Sequence, residues 1–372
     1  MARKTDKSTR HSEPLFRVAK RTELTGLRLA AVYAAALVAA LVAGGIFLLA
    51  IGKPPLEIYA GIVKKSISNS IYFRQTVEKA VPLLITTLGI LIAFKMQFWN
   101  IGGEGQVIVG AIFATFFTIY FPNLPHPILI TLMLVAGFIG GGLWGLIPAY
   151  FKSKYGTNET LFTLMLNYIA LYFIKFFAEG PWKDKDAGFP MIKSFDKNAW
   201  LDTVFGIHIG WIIALVLVAF VFVYLRRTKH GYEIAVVGES ENTARYAGMN
   251  VRKIVMRTMF LSGAICGIAG VVHSAGVSHQ LSSGVAGGVG FTAIIIAWLS
   301  RLNPIVTVLV SLLFAILEKG CSAIQDQFGL ATAVSEILQG IILFFVLGFD
   351  FFVRYRIIFA GGKHGADVKE EK

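Results

Sequence analysis

The chain has 372 residues, 55% of them hydrophobic and only 15% charged, with a formal net charge of +13. Soluble domains carry about 25% charged residues, so a secreted or cytosolic globular fold is excluded. The basic excess collects in a few loops and does not imply nucleic acid, and the two cysteines, Cys266 and Cys321, form neither a metal spacing nor a disulfide framework.

A basic arm, 1–28, comes first. Behind it runs 29–51, 23 positions without a charge. That stretch is too long, and too far from the start, for a cleavable signal h-region. It reads as a first spanning helix. Further apolar segments follow at 80–94, 107–121, 128–151, 160–177, 207–225, 254–277, 291–299, 305–317 and 334–347. The prediction is therefore an all-α polytopic membrane protein of about ten spans, with a membrane domain at 29–352 and a tail at 353–372. Basic residues favour the cytoplasmic side. Ten spans put the arm, Lys152, Lys154, the loop 226–253, Arg301 and the tail residues Arg354, Arg356 and Lys363 inside, with 179–206 outside.

Two glycine-rich stretches interrupt the pattern: Phe98–Gln106 (FWNIGGEGQ) and Ser282–Gly290 (SSGVAGGVG). Each adjoins a short apolar segment. Non-helical backbone at membrane depth must be buried in protein or line a wet cavity. Paired breaks point to a substrate path between internal repeats, and halves at 77–178 and 254–350 read as inverted repeats. Glu104 is the only acidic residue between Lys79 and Thr157. It either contacts a polar solute or is a structural carboxylate held by backbone N–H groups of its neighbouring glycines. Asn158, Thr163 and Asn167 are polar positions at the start of the fifth segment. They either glue helices together or line a pore. Asn100, Glu104, Gln106, Asn158, Asn167, Ser283 and Gly288 are the candidate path residues.

The longest inward loop, 226–253, has internal order. Ser240 can cap a helix over 241–247 and Gly248 can end it. A short exposed helix between spans suits docking to a cytosolic partner.

These stretches, with Thr163–Ala170 (TLMLNYIA), Gly231–Met249 and Gly290–Pro304 (GFTAIIIAWLSRLNP), resemble the permease subunit of ATP-binding-cassette importers. The branch serves simple sugars, nucleosides and branched-chain amino acids, and FWNIGGEGQ is most similar to nucleoside permeases that work with basic-membrane-protein lipoproteins. The resemblance implies a coupling helix in 231–249, with Gly238, Glu239, Asn242, Ala244, Arg245 and Gly248 meeting a cytosolic ATPase. It also implies a second permease, identical or paralogous, an external substrate-binding lipoprotein, and a bacterial cytoplasmic membrane with both termini inside. No cofactor is expected in this chain. There is no G-x-x-x-x-G-K-[ST] loop, H-E-x-x-H or G-x-S-x-G, so no hydrolase is visible and ATP must be hydrolysed elsewhere. The expected cargo is a nucleoside, otherwise a sugar or a compound such as riboflavin. The competing reading is an ion-coupled secondary transporter using Glu104, Glu318 and Glu336.

Overall fold

The computed structural model describes residues 16–20 and 27–359. The predicted arm at 1–15 and 21–26, and the tail from 360 on, including Lys363, lie outside them. In chain order the elements are β1 (Phe16–Lys20), α1 (Leu27–Ala50), α2 (Pro55–Ile67), α3 (Ser70–Lys95), α4 (Gly103–Tyr120), α5 (His126–Tyr155) and α6 (Glu159–Glu179). A small hairpin, β2 (Thr203–Val204) and β3 (Ile207–His208), precedes α7 (Gly210–Arg227). Then come α8 (Lys229–Glu239), α9 (Glu241–Tyr246), α10 (Val251–His273) with a π-helical turn at Ser274–Ser278, α11 (Val289–Leu299), α12 (Pro304–Phe328), α13 (Thr332–Arg354) and β4 (Tyr355–Phe359).

The chain divides into two compact units. One comprises 1–56 and 336–372, and contains an antiparallel ladder of β1 and β4 that runs from Phe16 opposite Phe359 to Lys20 opposite Tyr355. Composition alone gave no sign of this ladder. The other unit, 57–335, is a helical bundle and holds both glycine-rich breaks.

Each predicted apolar segment is a helix, but ten full spans are not found. Among the described residues seven helices are long and apolar enough to cross a membrane, or up to eight if the broken pair Ala34–Ala50 and Pro55–Ile67 counts as one. The expected span at 291–299 is the 11-residue α11, about 16 Å long at 1.5 Å per residue against a hydrocarbon layer of about 30 Å. Helix α3 begins ten residues before the predicted apolar run, capped by Asn69, whose Oδ1 accepts from the Ile71 N–H at 2.6 Å. Lys79 lies within this extension and is paired with Glu318 of α12, so its charge does not end the helix. Helix α7 starts later than predicted because Ile207 and His208 belong to the hairpin, turned by Gly206 at φ +77°.

The bundle centre rests on small residues. Gly137, Gly141 and Gly145 of α5 recur every four positions and face Gly263 and Gly267 of α10. A Cβ on Gly267 would lie 2.1 Å from the Gly137 carbonyl oxygen, and one on Gly141 would lie 2.3 Å from that of Gly263. On the other flank, a Cβ on Gly110 of α4 would meet Gly267 Cα at 2.3 Å. Lipid tails are as apolar as leucine, so helices in a bilayer associate through close backbone approach, and this seam supplies it. Gly267→Ala should lower the melting temperature of the purified protein by several degrees and cut its folded yield. Gly340→Ala, where an added Cβ meets nothing within 4 Å, should leave both unchanged.

Candidate translocation site and coupling elbow

The first break runs from Met96 to Gly102, between α3 and α4. The left-handed Gln97 (φ 59°) turns the chain out of α3. A polar knot then fixes it. Asn100 Nδ2 donates to Gln106 Oε1 at 3.1 Å and to Ser262 Oγ of α10 at 3.1 Å, while Asn100 Oδ1 accepts from the Gly102 N–H at 3.1 Å and from Gln106 Nε2 at 3.2 Å. From α6, Asn167 Oδ1 accepts from the Gly105 N–H at 2.8 Å and its Nδ2 donates to the Ile101 carbonyl at 2.9 Å. Thr163 Oγ1 accepts from the Ile101 N–H at 3.2 Å. Asn100, Gln106, Thr163 and Asn167 are all buried. The polar stripe of α6 therefore serves as interhelical glue. Asn158 is exposed and caps α6, accepting from the Leu161 N–H at 3.1 Å.

The second break runs from His279 to Gly288. The loop 179–206 holds its first residues: Phe195 N–H donates to the His279 carbonyl at 2.8 Å, and Gln280 Nε2 to that of Ile192 at 2.6 Å. Leu281, Val285 and Ala286 are buried, whereas Ser283, Gly284 and Gly287 are exposed. The segment thus packs one side on the bundle and leaves the other open, as a path lining requires.

Glu104 joins the two breaks. Its Oε1 accepts from the Gly288 N–H at 2.8 Å and its Oε2 from the Gly290 N–H at 2.7 Å. The expectation of a carboxylate held by glycine N–H groups is met, but by glycines 184 and 186 residues downstream rather than by its neighbours. Gly290 must be glycine, because a Cβ there would lie 2.3 Å from the Glu104 nitrogen. Gly290, Thr163 and Ser262 are members of the site that the candidate set omitted. Ser262 was visible as a hydroxyl in the apolar run of α10, but nothing local named its partner.

At the α3 C-terminal end of the bundle, α8 and α9 form an elbow. Thr228 caps α8 and Ser240 caps α9, each accepting from an N–H three residues on. Gly248 follows α9 at φ +75°. Gly238 lets α8 press onto α3, since a Cβ there would lie 2.4 Å from the Lys95 carbonyl oxygen. Arg257 Nη2 of α10 donates to Glu233 Oε2 at 2.8 Å, which holds the Glu233 carboxyl below its usual range. Ala244 faces inward and is fully buried, while Asn242, Arg245 and Tyr246 are exposed, Tyr246 at 92%. Arg245 pairs with Glu241 at 2.6 Å. A cavity of about 570 Å³ lies beside the elbow, lined among others by Gln97, Lys152, Glu159, Gly238, Glu239 and Arg245. The first break therefore abuts the elbow directly.

Residues 73–347 match the family described as "Branched-chain amino acid transport system / permease component". A glucose ABC transporter permease protein of Haloferax volcanii is 30% identical over 343 residues, covering 89% of this chain and 90% of that protein. A guanosine ABC transporter permease protein of Bacillus subtilis is 29% identical, covering 88% and 94%, and a nucleoside ABC transporter permease protein of Lactococcus lactis is 28% identical, covering 82% and 86%. The chain belongs to this family of ATP-binding-cassette permease components. It is a transport subunit of a membrane-embedded assembly, with ATP hydrolysis in a separate chain and a second permease beside it. The ion-coupled reading falls with this assignment. Glu104 and Glu318 are committed to the glycine N–H groups and to Lys79.

Asn167→Ala leaves the Gly105 N–H and Ile101 C=O unpaired in a buried site, at about 1–3 kcal/mol for each group. It should lower the melting temperature well beyond Asn158→Ala, which removes a cap worth about 1 kcal/mol. At the hairpin of β2 and β3, His208 is buried with neither ring nitrogen hydrogen-bonded. Burial, then the nearby His273 and His279, push its pKa down to about 4. The unfolded side chain takes its proton near pH 6.5 and the folded one does not, so stability falls as pH drops from 6.5 to 4, by up to about 3 kcal/mol. Melting followed from pH 7.5 to pH 5 should show that decline, and His208→Leu should make it shallower.

Proposed function

We propose that this permease carries an uncharged polar solute inward, a nucleoside in the first instance, with a simple sugar as the second candidate. The guanosine and nucleoside permeases among its relatives support the first and the glucose permease the second. The path residues agree in chemistry. They are the hydroxyl and backbone groups of the open side of 283–287, with Trp99 and Trp298, ring centroids 5.6 Å apart and planes tilted by 32°, beside the first break.

The observation that carries the coupling part is the elbow. Helix α9 projects an unsupported tyrosine, Tyr246, from a rigid, capped frame, and that frame sits on the α3 end next to the first break. ATP binding in the partner would move α9, and α8 would transmit the movement to Lys95 and Met96 through the Gly238 contact. A ligand-driven change requires different interactions in the two states, and the partner's grip on α9 supplies that difference. On the opposite end, the loop 179–206 is the surface offered to an external binding protein.

In the reconstituted assembly, ATPase activity should rise with nucleosides, or failing them sugars, delivered by the binding protein. A response to neither, with a response to amino acids, would contradict the reading. Tyr246→Ala should reduce solute-stimulated ATPase and co-purification of the ATPase at least about tenfold, the loss of one central aromatic contact. Its melting temperature should not change, because the side chain supports nothing in this chain.

A further inference from the structure

Two helix N-termini meet at Glu104. It is the second residue of α4, and its carboxylate accepts from the N–H groups at the start of α11. The approach is as close as glycine permits: the built Cβ of Gly290 would fall 2.3 Å from the Glu104 nitrogen and that of Gly103 lies 3.7 Å from Gly290 Cα. A helix N-terminus carries roughly half a positive charge and is a ready anion site. Two of them with one carboxylate sum to about zero.

No side chain supplies another charge from these segments. Glu104 is the only Asp, Glu, Lys or Arg from 96 to 151, and there is none from 258 to 300. The neighbouring knot is neutral as well, built from Asn100, Gln106, Thr163, Asn167 and Ser262. Within these segments the positive potential comes from backbone alone, and the one anion beside it is covalently part of the chain.

We propose that Glu104 is a specificity-determining residue: it fills from within the anion site created where α4 and α11 meet, so the path beside the breaks takes an uncharged solute. This rests on the reading of the chain as a solute permease and assigns its preference for an uncharged solute to one residue. A charged solute passing the open side of 283–287 meets no Asp, Glu, Lys or Arg from 258–300, and an anionic one finds the anion site where α4 and α11 meet already filled by a carboxylate.

The test uses the whole transporter, with its ATPase, second permease and binding protein, in liposomes. Glu104→Ala should take up nucleoside at least about tenfold more slowly than wild type, since two charge-assisted bonds are lost. Added formate should restore at least half of that rate and raise the variant's melting temperature. Acetamide, uncharged and similar in size, should do neither, and wild type should ignore both. Glu104→Gln keeps the shape but offers an N–H₂ to a backbone N–H, so it should stay slow with or without formate. It also serves if Glu104→Ala fails to assemble. Wild-type uptake by Glu104→Gln, rescue by acetamide equal to that by formate, or no rescue of a folded Glu104→Ala would overturn the proposal. So would uptake of a nucleoside monophosphate at a rate comparable to the nucleoside. The formate effect on melting needs no solute. If wild type carries no uncharged solute while that effect persists, the functional reading fails and the filled anion site stands.

Discussion

Two hydrogen bonds, from the Gly288 and Gly290 N–H groups to the two oxygens of Glu104, hold together the parts of this permease that are not helical. The long helices of the bundle can be understood as helix packing in lipid. The breaks cannot, because they leave polar backbone at a depth where water is scarce. A carboxylate with both oxygens engaged is among the few groups strong enough to fix such backbone. It also settles the charge that two helix N-termini would otherwise leave exposed.

The clasp lies in a continuous series of contacts. The loop 179–206 holds His279 and Gln280 at one end of the second break, and Glu104 holds the other end against the first break. The first break leads back to Met96 and Lys95, on which α8 rests through Gly238. The loop 179–206 and the elbow of α8 and α9 are thus joined through packed, hydrogen-bonded elements. Such contiguity shows where a two-state movement can pass. The glycine seam of α5 and α10 is the stiff frame behind it.

Much of this was legible in the sequence. Hydropathy located every long helix, because an uncharged run near 20 residues has few alternatives. The cap at Ser240 and the stop at Gly248 were readable because capping chemistry is local, whereas Asn158, read as glue or a pore-lining group, turned out to be a cap. The glycine breaks were readable as interruptions, and the family resemblance followed from their order. What the sequence withheld was partnership across distance. Glu104 pointed to glycine N–H groups, yet its actual glycines lie far downstream, and Thr163 and Asn167 could not be told apart from pore-lining groups until Ile101 and Gly105 were seen beside them. The span count failed at α11 for a related reason. A short apolar helix and a full span share composition, and only the neighbouring non-helical stretch tells them apart. The ladder of β1 and β4 joins the two ends of the chain, where no local pattern links the arm to the tail.

The central claim is that the Glu104 carboxylate, and not general burial, fixes the second break. Hydrogen exchange of the peptide covering 282–292, measured in the assembled transporter for wild type and Glu104→Ala, tests this most directly. The account predicts slow exchange at Gly288 and Gly290 in wild type, and exchange faster by about tenfold or more in the variant, matching the loss of about 1.4 kcal/mol or more of local protection. Equal exchange in the two proteins would contradict it.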